Sequence, residues 1–180
     1  MVQVVLVASV LVGLGACSGS DRSEGISDDA PVDAAIAPDV PAPQYVLDVR
    51  NAVEAVEAEL GGPQRYFEVT SNAQFTNVFV ALDDATAAVA YAFVDGELEP
   101  PAPRQEGASG DTFAASDIDF VDDRLLSGVT ADLPDSQIDA ISVYGNGFGA
   151  TYVVAATSAA GGFLDIVVGP NGAVFSVDPV

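Results

Sequence analysis

Thr86-Ala87-Ala88-Val89-Ala90-Tyr91-Ala92-Phe93-Val94, closed by Asp95-Gly96, is the stretch on which the fold turns. A threonine and eight residues of alanine, valine and aromatics, without a charge, suit a pleated, half-buried strand. Asp-Gly is the two-residue signal for a hairpin whose backbone twist matches the strands it joins. Glu97-Leu98-Glu99 then starts a short return strand, and Pro100-Pro101 ends it because proline has no N–H for a ladder.

Upstream lie two more strands. Residues 65–70 alternate, Ser71-Asn72-Ala73 turns the chain, residues 75–82 form the second strand and Asp83-Asp84 its turn. Ahead of this meander, Val46, Val49, Val53, Val56 and Leu60 recur at steps of three and four and predict a helix over residues 45–60. Gly61-Gly62-Pro63 stops it.

Downstream the order returns. Residues 100–112, with three prolines, read as a connector. Ile118, Val121, Leu125, Val129 and Leu133 predict a second helix over residues 117–133, with Ser116 and Asp119 as a weak capping box. Strands follow at residues 140–144, 150–157, 163–168 and 174–178, separated by Gly145-Asn146-Gly147 and Pro170-Asn171-Gly172. At an offset of about 74, Phe67-Glu68-Val69 meets Ile141-Ser142-Val143 and Val80-Ala81 meets Val154-Ala155. The expected fold is therefore α+β: two tandem α-β-β-β(-β) repeats, 44–99 and 113–180, in one domain, with antiparallel sheet and both helices on one face.

The N-terminal part has a different character. Residues 2–16 are uncharged and mostly valine, leucine and alanine, and are too short for the span of about 20 residues that a bilayer core needs. They suit the apolar region of a signal peptide. Its close, Leu14-Gly15-Ala16-Cys17, supplies the sole cysteine. These four residues resemble the lipobox of bacterial lipoproteins. The resemblance implies cleavage before Cys17, a diacylglycerol thioether on its sulfur, and a protein anchored on the extracytoplasmic face of the cell membrane. Met1-Val2-Gln3 lacks the positive charge usual ahead of such a run, as it would if translation began upstream. Residues 17–43 read as a tether, with Pro31, Pro38, Pro41, Pro43 and six acids in residues 18–43. So little apolar surface cannot offset the entropy of ordering.

Charge and missing residue types narrow the function. The chain carries 27 acids against five arginines, with no lysine and no histidine, for a net −22. Such a surface repels nucleic acid and anionic headgroups. Without histidine there is no Ser-His-Asp or Cys-His nucleophile system and no histidine metal site. Only carboxylates, hydroxyls and arginines remain for chemistry, so a hydrolase working through paired carboxylates is the one enzyme class kept in view. The expectation is a protein that is no enzyme and needs no cofactor. It is a tethered monomer binding a protein, peptide or apolar ligand, and the alternative is an envelope structural or salt-adapted protein.

Four stretches qualify as candidate sites. Gly145-Asn146-Gly147-Phe148-Gly149-Ala150 matches G-x-G-x-x-A, but strand sequence follows where a dinucleotide fold needs a helix, so a hairpin turn is expected. The acids of residues 117–123 suggest calcium, yet Val121 and Asp122 stand where an EF-hand loop has an oxygen ligand and glycine. Asp83, Asp84 and Asp95 could meet at one sheet edge. Tyr66, Tyr91 and Phe93 are the candidate ligand face. If Ala90 and Ala92 face the helix, these rings stand on the open side of the sheet; in the reverse case they are core.

The architecture resembles the tandem-repeat β-lactamase inhibitors and the PepSY-type modules of secreted bacterial proteins, over residues 44–180 and in topology and period only. It also resembles lipoproteins of high-G+C Gram-positive bacteria. No site residue carries over from either.

Overall fold

The computed structural model describes residues 41–180. The leader, Cys17 and the tether up to residue 40 lie outside the described residues. Of the tether's last three residues, Ala42 packs against the core and Pro43 is the N-cap of the first helix, α1 (Gln44–Leu60). That helix ends at Gly61 in the left-handed region (φ 78°), where glycine meets no Cβ penalty.

Strands β1 (Arg65–Asn72), β2 (Thr76–Leu82), β3 (Ala87–Val94) and β4 (Glu97–Leu98) form the first meander. The segment after it holds β5 (Gln105–Glu106), β6 (Phe113–Ala114) and a 3-10 turn, Ala115–Asp117. Helix α2 (Ser127–Asp132) precedes the second meander: β7 (Gln137–Gly145), β8 (Ala150–Thr157), β9 (Phe163–Val168) and β10 (Val174–Pro179). All join one antiparallel sheet in the order β10-β9-β8-β7-β1-β2-β3-β4. The fold is α+β. The meanders meet through their first strands, with Val69 opposite Val143 at the seam. Those two valines are the pair that the 74-residue offset aligns. The tandem repeat expected from the sequence is not confirmed: α1 has 17 residues and α2 only six.

The short α2 corrects the helix expected over residues 117–133. Helical spacing is present there, but the backbone finds better partners elsewhere. Val121 N–H donates to Pro170 O (2.8 Å) and Asp119 N–H to Tyr152 Oη (3.0 Å). The carbonyls of Ile118 and Phe120 accept from Arg50 Nη2 of α1 (3.3 and 2.6 Å). Ile118 and Phe120, two apart, are both buried, as in an extended strap and not a helix. Asp117 Oδ2 takes the N–H of Ala114 and Asp119 Oδ1 the Tyr152 hydroxyl (both distances below 2.9 Å). Short acidic side chains that bind backbone or tertiary donors compete with the helix.

The connector is likewise more than a linker. Glu99 N–H and Ala102 N–H donate to Ala92 O and Ala90 O, β5 pairs with Ala87 and Ala88, and Gly107 N–H reaches Thr86 O. Residues 97–107 therefore line the outer edge of β3, and Pro100, Pro101 and Pro103 leave no ladder of N–H groups there for another chain. Its end passes beneath β7 so closely that a Cβ on Gly145 would lie 2.7 Å from Thr112 Cα. There β6 adds itself to β1 and plants Phe113 against the Tyr66 ring, centroids 5.7 Å apart.

One core lies on one face of the sheet. Val46, Val49, Ala52, Val53 and Val56 of α1 meet Val69, Val78, Tyr91, Ile141, Val143, Tyr152 and Ile166, and Val129 of α2 joins the same cluster. Ser71 Oγ and Thr76 Oγ1, buried within it, satisfy one another at 2.6 Å. Two phenols there set an alkaline limit. Burial, and then the neighbouring Glu57, raises the pKa of Tyr66; burial, and then its bond to Asp119, raises that of Tyr152. The folded state holds both neutral while the unfolded chain ionises them near pH 10. Their contribution is complete below about pH 10 and is lost as pH rises beyond it. We expect tyrosinate absorbance and loss of circular dichroism to appear together above that pH. Full ionisation of all five tyrosines with the fold intact would contradict this.

Candidate functional site

The candidate face of Tyr66, Tyr91 and Phe93 is not a surface. The three residues are at most 7% exposed. The reason is size matching across the layer. Helix α1 presents valine and alanine, so the large side chains that fill the space must come from the sheet. Ala90 and Ala92 stand half-buried on the opposite face. A register shift between Tyr66 and Glu68 puts Tyr66 on the same side as Val69. Its hydroxyl donates to Glu57 Oε1 (3.1 Å), which satisfies the polar end of a buried ring.

The aspartates also part company. Asp83 pairs with Arg104 at one end of β3, whereas Asp95 lies in the turn at the other end. Asp83, Asp84 and Asp95 therefore do not converge. Asp122 pairs with Arg50. Among the described residues, no three acids gather as a metal site. Gly145–Ala150 is the expected hairpin loop between β7 and β8.

What the elements do build is a half-open cleft of about 550 Å³ at the end of the sheet where the chain enters α1. This is within the size range of small-ligand sites. One wall is the first two turns of α1, where Gln44, Asp48 and Asn51 follow at steps of four and three and so share a face. Gln44 Nε2 and Asn51 Nδ2 both donate to Asp48 Oδ1 (2.8 and 3.2 Å). The two amides are thereby oriented with their carbonyl oxygens free to accept. The other wall is the β1–β2 turn, which Asn72 stiffens by accepting the N–H groups of Gln74 and Phe75 (2.8 and 3.1 Å). That turn presents Phe75, 38% exposed, and Asp95-Gly96 closes the rim. Tyr45 also lines it; burial, and then the charge of Asp139, raises its pKa. The cleft thus offers acceptors on one side and a ring on the other, with two carboxylates and no arginine among its lining residues.

No family model, curated protein or solved structure matches this chain. Of the sequence candidates, Cys17 lies outside the described residues, and none of the others lines the cleft except Phe93, whose ring belongs to the core, and Asp95. The cleft was not legible because its walls come from three separated segments. Each of them reads locally as a helix start or a turn.

Proposed function

We propose that the chain is a membrane-tethered extracytoplasmic lipoprotein, anchored through Cys17, whose domain is a non-catalytic binding module. The cleft beside α1 supports this most directly. Its preset acceptors, Asp48 with the amide oxygens of Gln44 and Asn51, suit a ligand rich in hydrogen-bond donors. The Phe75 ring suits an apolar face on the same ligand. Peptides combine both, and the local negative charge favours those without acidic residues. Two acyl chains on Cys17 would hold the domain stably, each buried methylene contributing about 0.8 kcal/mol.

The test uses the full chain in its own envelope. Wild-type protein should fractionate with membranes and Cys17→Ser should not. From solubilised envelope, wild type should retain a discrete species that is lost when Asn51→Trp fills the cleft. Equal retention by both would remove the cleft from the reading and favour an envelope structural role. Absence of acyl mass on Cys17 would end the lipoprotein reading.

A further inference from the structure

Phe148 is the most exposed large apolar residue of the described chain, with 102% of its reference surface in water. It does not belong to the cleft. It sits on the β7–β8 loop, beyond the end of the sheet where β1 begins, whereas residues 41–43 enter at the opposite end. Two facts separate it from a loose loop tip. Asn146 Oδ1 accepts the N–H of Phe148 (2.9 Å), and Asn146 Nδ2 donates to Thr151 Oγ1 (2.8 Å), so one side chain fixes both arms of the loop. Asn146 N–H also bonds Gly149 O across it (3.2 Å). The ring is held out in water by an ordered scaffold. It forms one wall of a depression of about 320 Å³ whose other side carries Asp117 and Asp119, and the Asp111 carboxylate lies beneath Gly147.

We propose that this hairpin tip is a protein-docking knob. Phe148 inserts into an apolar socket on a partner that rims the socket with lysine or arginine. Asp117 is already opposite Arg65 at 3.9 Å, so the exposed Asp111 and Asp119 are the carboxylates that pair with that rim. An aromatic side chain on a pre-ordered loop loses little entropy on docking and is the residue type that carries binding energy at interfaces. The charge of the chain, −22, disfavours a second copy, nucleic acid and an anionic lipid surface alike, and favours a basic partner.

The experiment places photoreactive p-benzoylphenylalanine at position 148 of the full chain in its native cells, with Thr130, exposed on α2, as the control position. One protein adduct at 148 that is absent at 130 is expected. That protein, purified, should bind wild type and lose about 30-fold or more in affinity for Phe148→Ser. Association should also slow several-fold as salt is raised. Because the ring touches nothing that holds the fold, Phe148→Ser should melt as wild type does. No protein adduct, equal adducts at both positions, adducts to lipid alone, or unchanged affinity of Phe148→Ser would each overturn the proposal. None of these bears on the cleft, which lies at the other end of the sheet.

Discussion

Residues 44–99 and 113–180, produced separately, are expected to give two unfolded or aggregating chains, while residues 41–180 melt in one cooperative transition. The cut runs through the middle of the sheet. It removes the seam of β1 and β7, from Glu68 opposite Tyr144 to Asn72 opposite Ala140. Each fragment is left with a long central strand whose backbone groups have lost a partner, an invitation to pair with any other chain. Of the native outer edges, one is lined by the proline-bearing connector, and the other, β10, is a short strand that carries Asp178 and Pro179, residue types that discourage pairing. The core is divided as well. Phe113, fully buried, belongs to the second fragment and packs on Tyr66 of the first. The strap that follows Phe113 is held by Arg50 of α1. Neither fragment buries enough to offset ordering costs of about 1–2 kcal/mol per residue. Circular dichroism melts decide the matter, and a sigmoidal transition in either fragment alone would show two domains where the sheet reads as one.

The second large effect is expected at Arg50. Its guanidinium stacks on Phe120 at 4.2 Å, bonds the carbonyls of Ile118 and Phe120, and pairs with Asp122. The ion pair is the lesser part. Both side chains are about a third exposed, 32% and 40%, where such pairs contribute about 0–1 kcal/mol. Two backbone carbonyls left without a donor, and a ring left without its cover, matter more. Arg50→Ala should cost about 2–4 kcal/mol. For a domain of this size that lowers the melting temperature by about 10 °C. Arg50→Lys should recover less than half, because an ammonium cannot stack, bridge two carbonyls and meet a carboxylate at once. Urea denaturation of the three proteins measures this. A loss below about 0.5 kcal/mol in Arg50→Ala would mean that the strap holds itself in place and Arg50 only decorates it.

Arg50 also marks where sequence reasoning and structure part. Helix α1, the two meanders and their turns were legible because the information is local. A three-four apolar stripe closed by Gly61, an alternating run closed by Asp95-Gly96 and the glycine-rich loop at 145–149 each settle their own geometry within a few residues. Residues 117–133 carry an equally good stripe, yet only Ser127–Asp132 is helical and residues 118–121 run as a strap, because the donors and acceptors that capture the strap's backbone, Arg50, Tyr152 and Pro170, are distant in the chain. The side of the sheet taken by Tyr66, Tyr91 and Phe93 was open for the same kind of reason. Alternation shows that rings and alanines oppose each other but not which of them meets the helix, and the small valines of α1 decide it only once packed. The cleft of Gln44, Asp48, Asn51 and Phe75 exists only where a helix start and a turn are brought side by side. Periodicity and turn chemistry are short-range and written in sequence, whereas facing, capture of backbone groups and the closing of a cleft depend on what arrives from elsewhere in the fold.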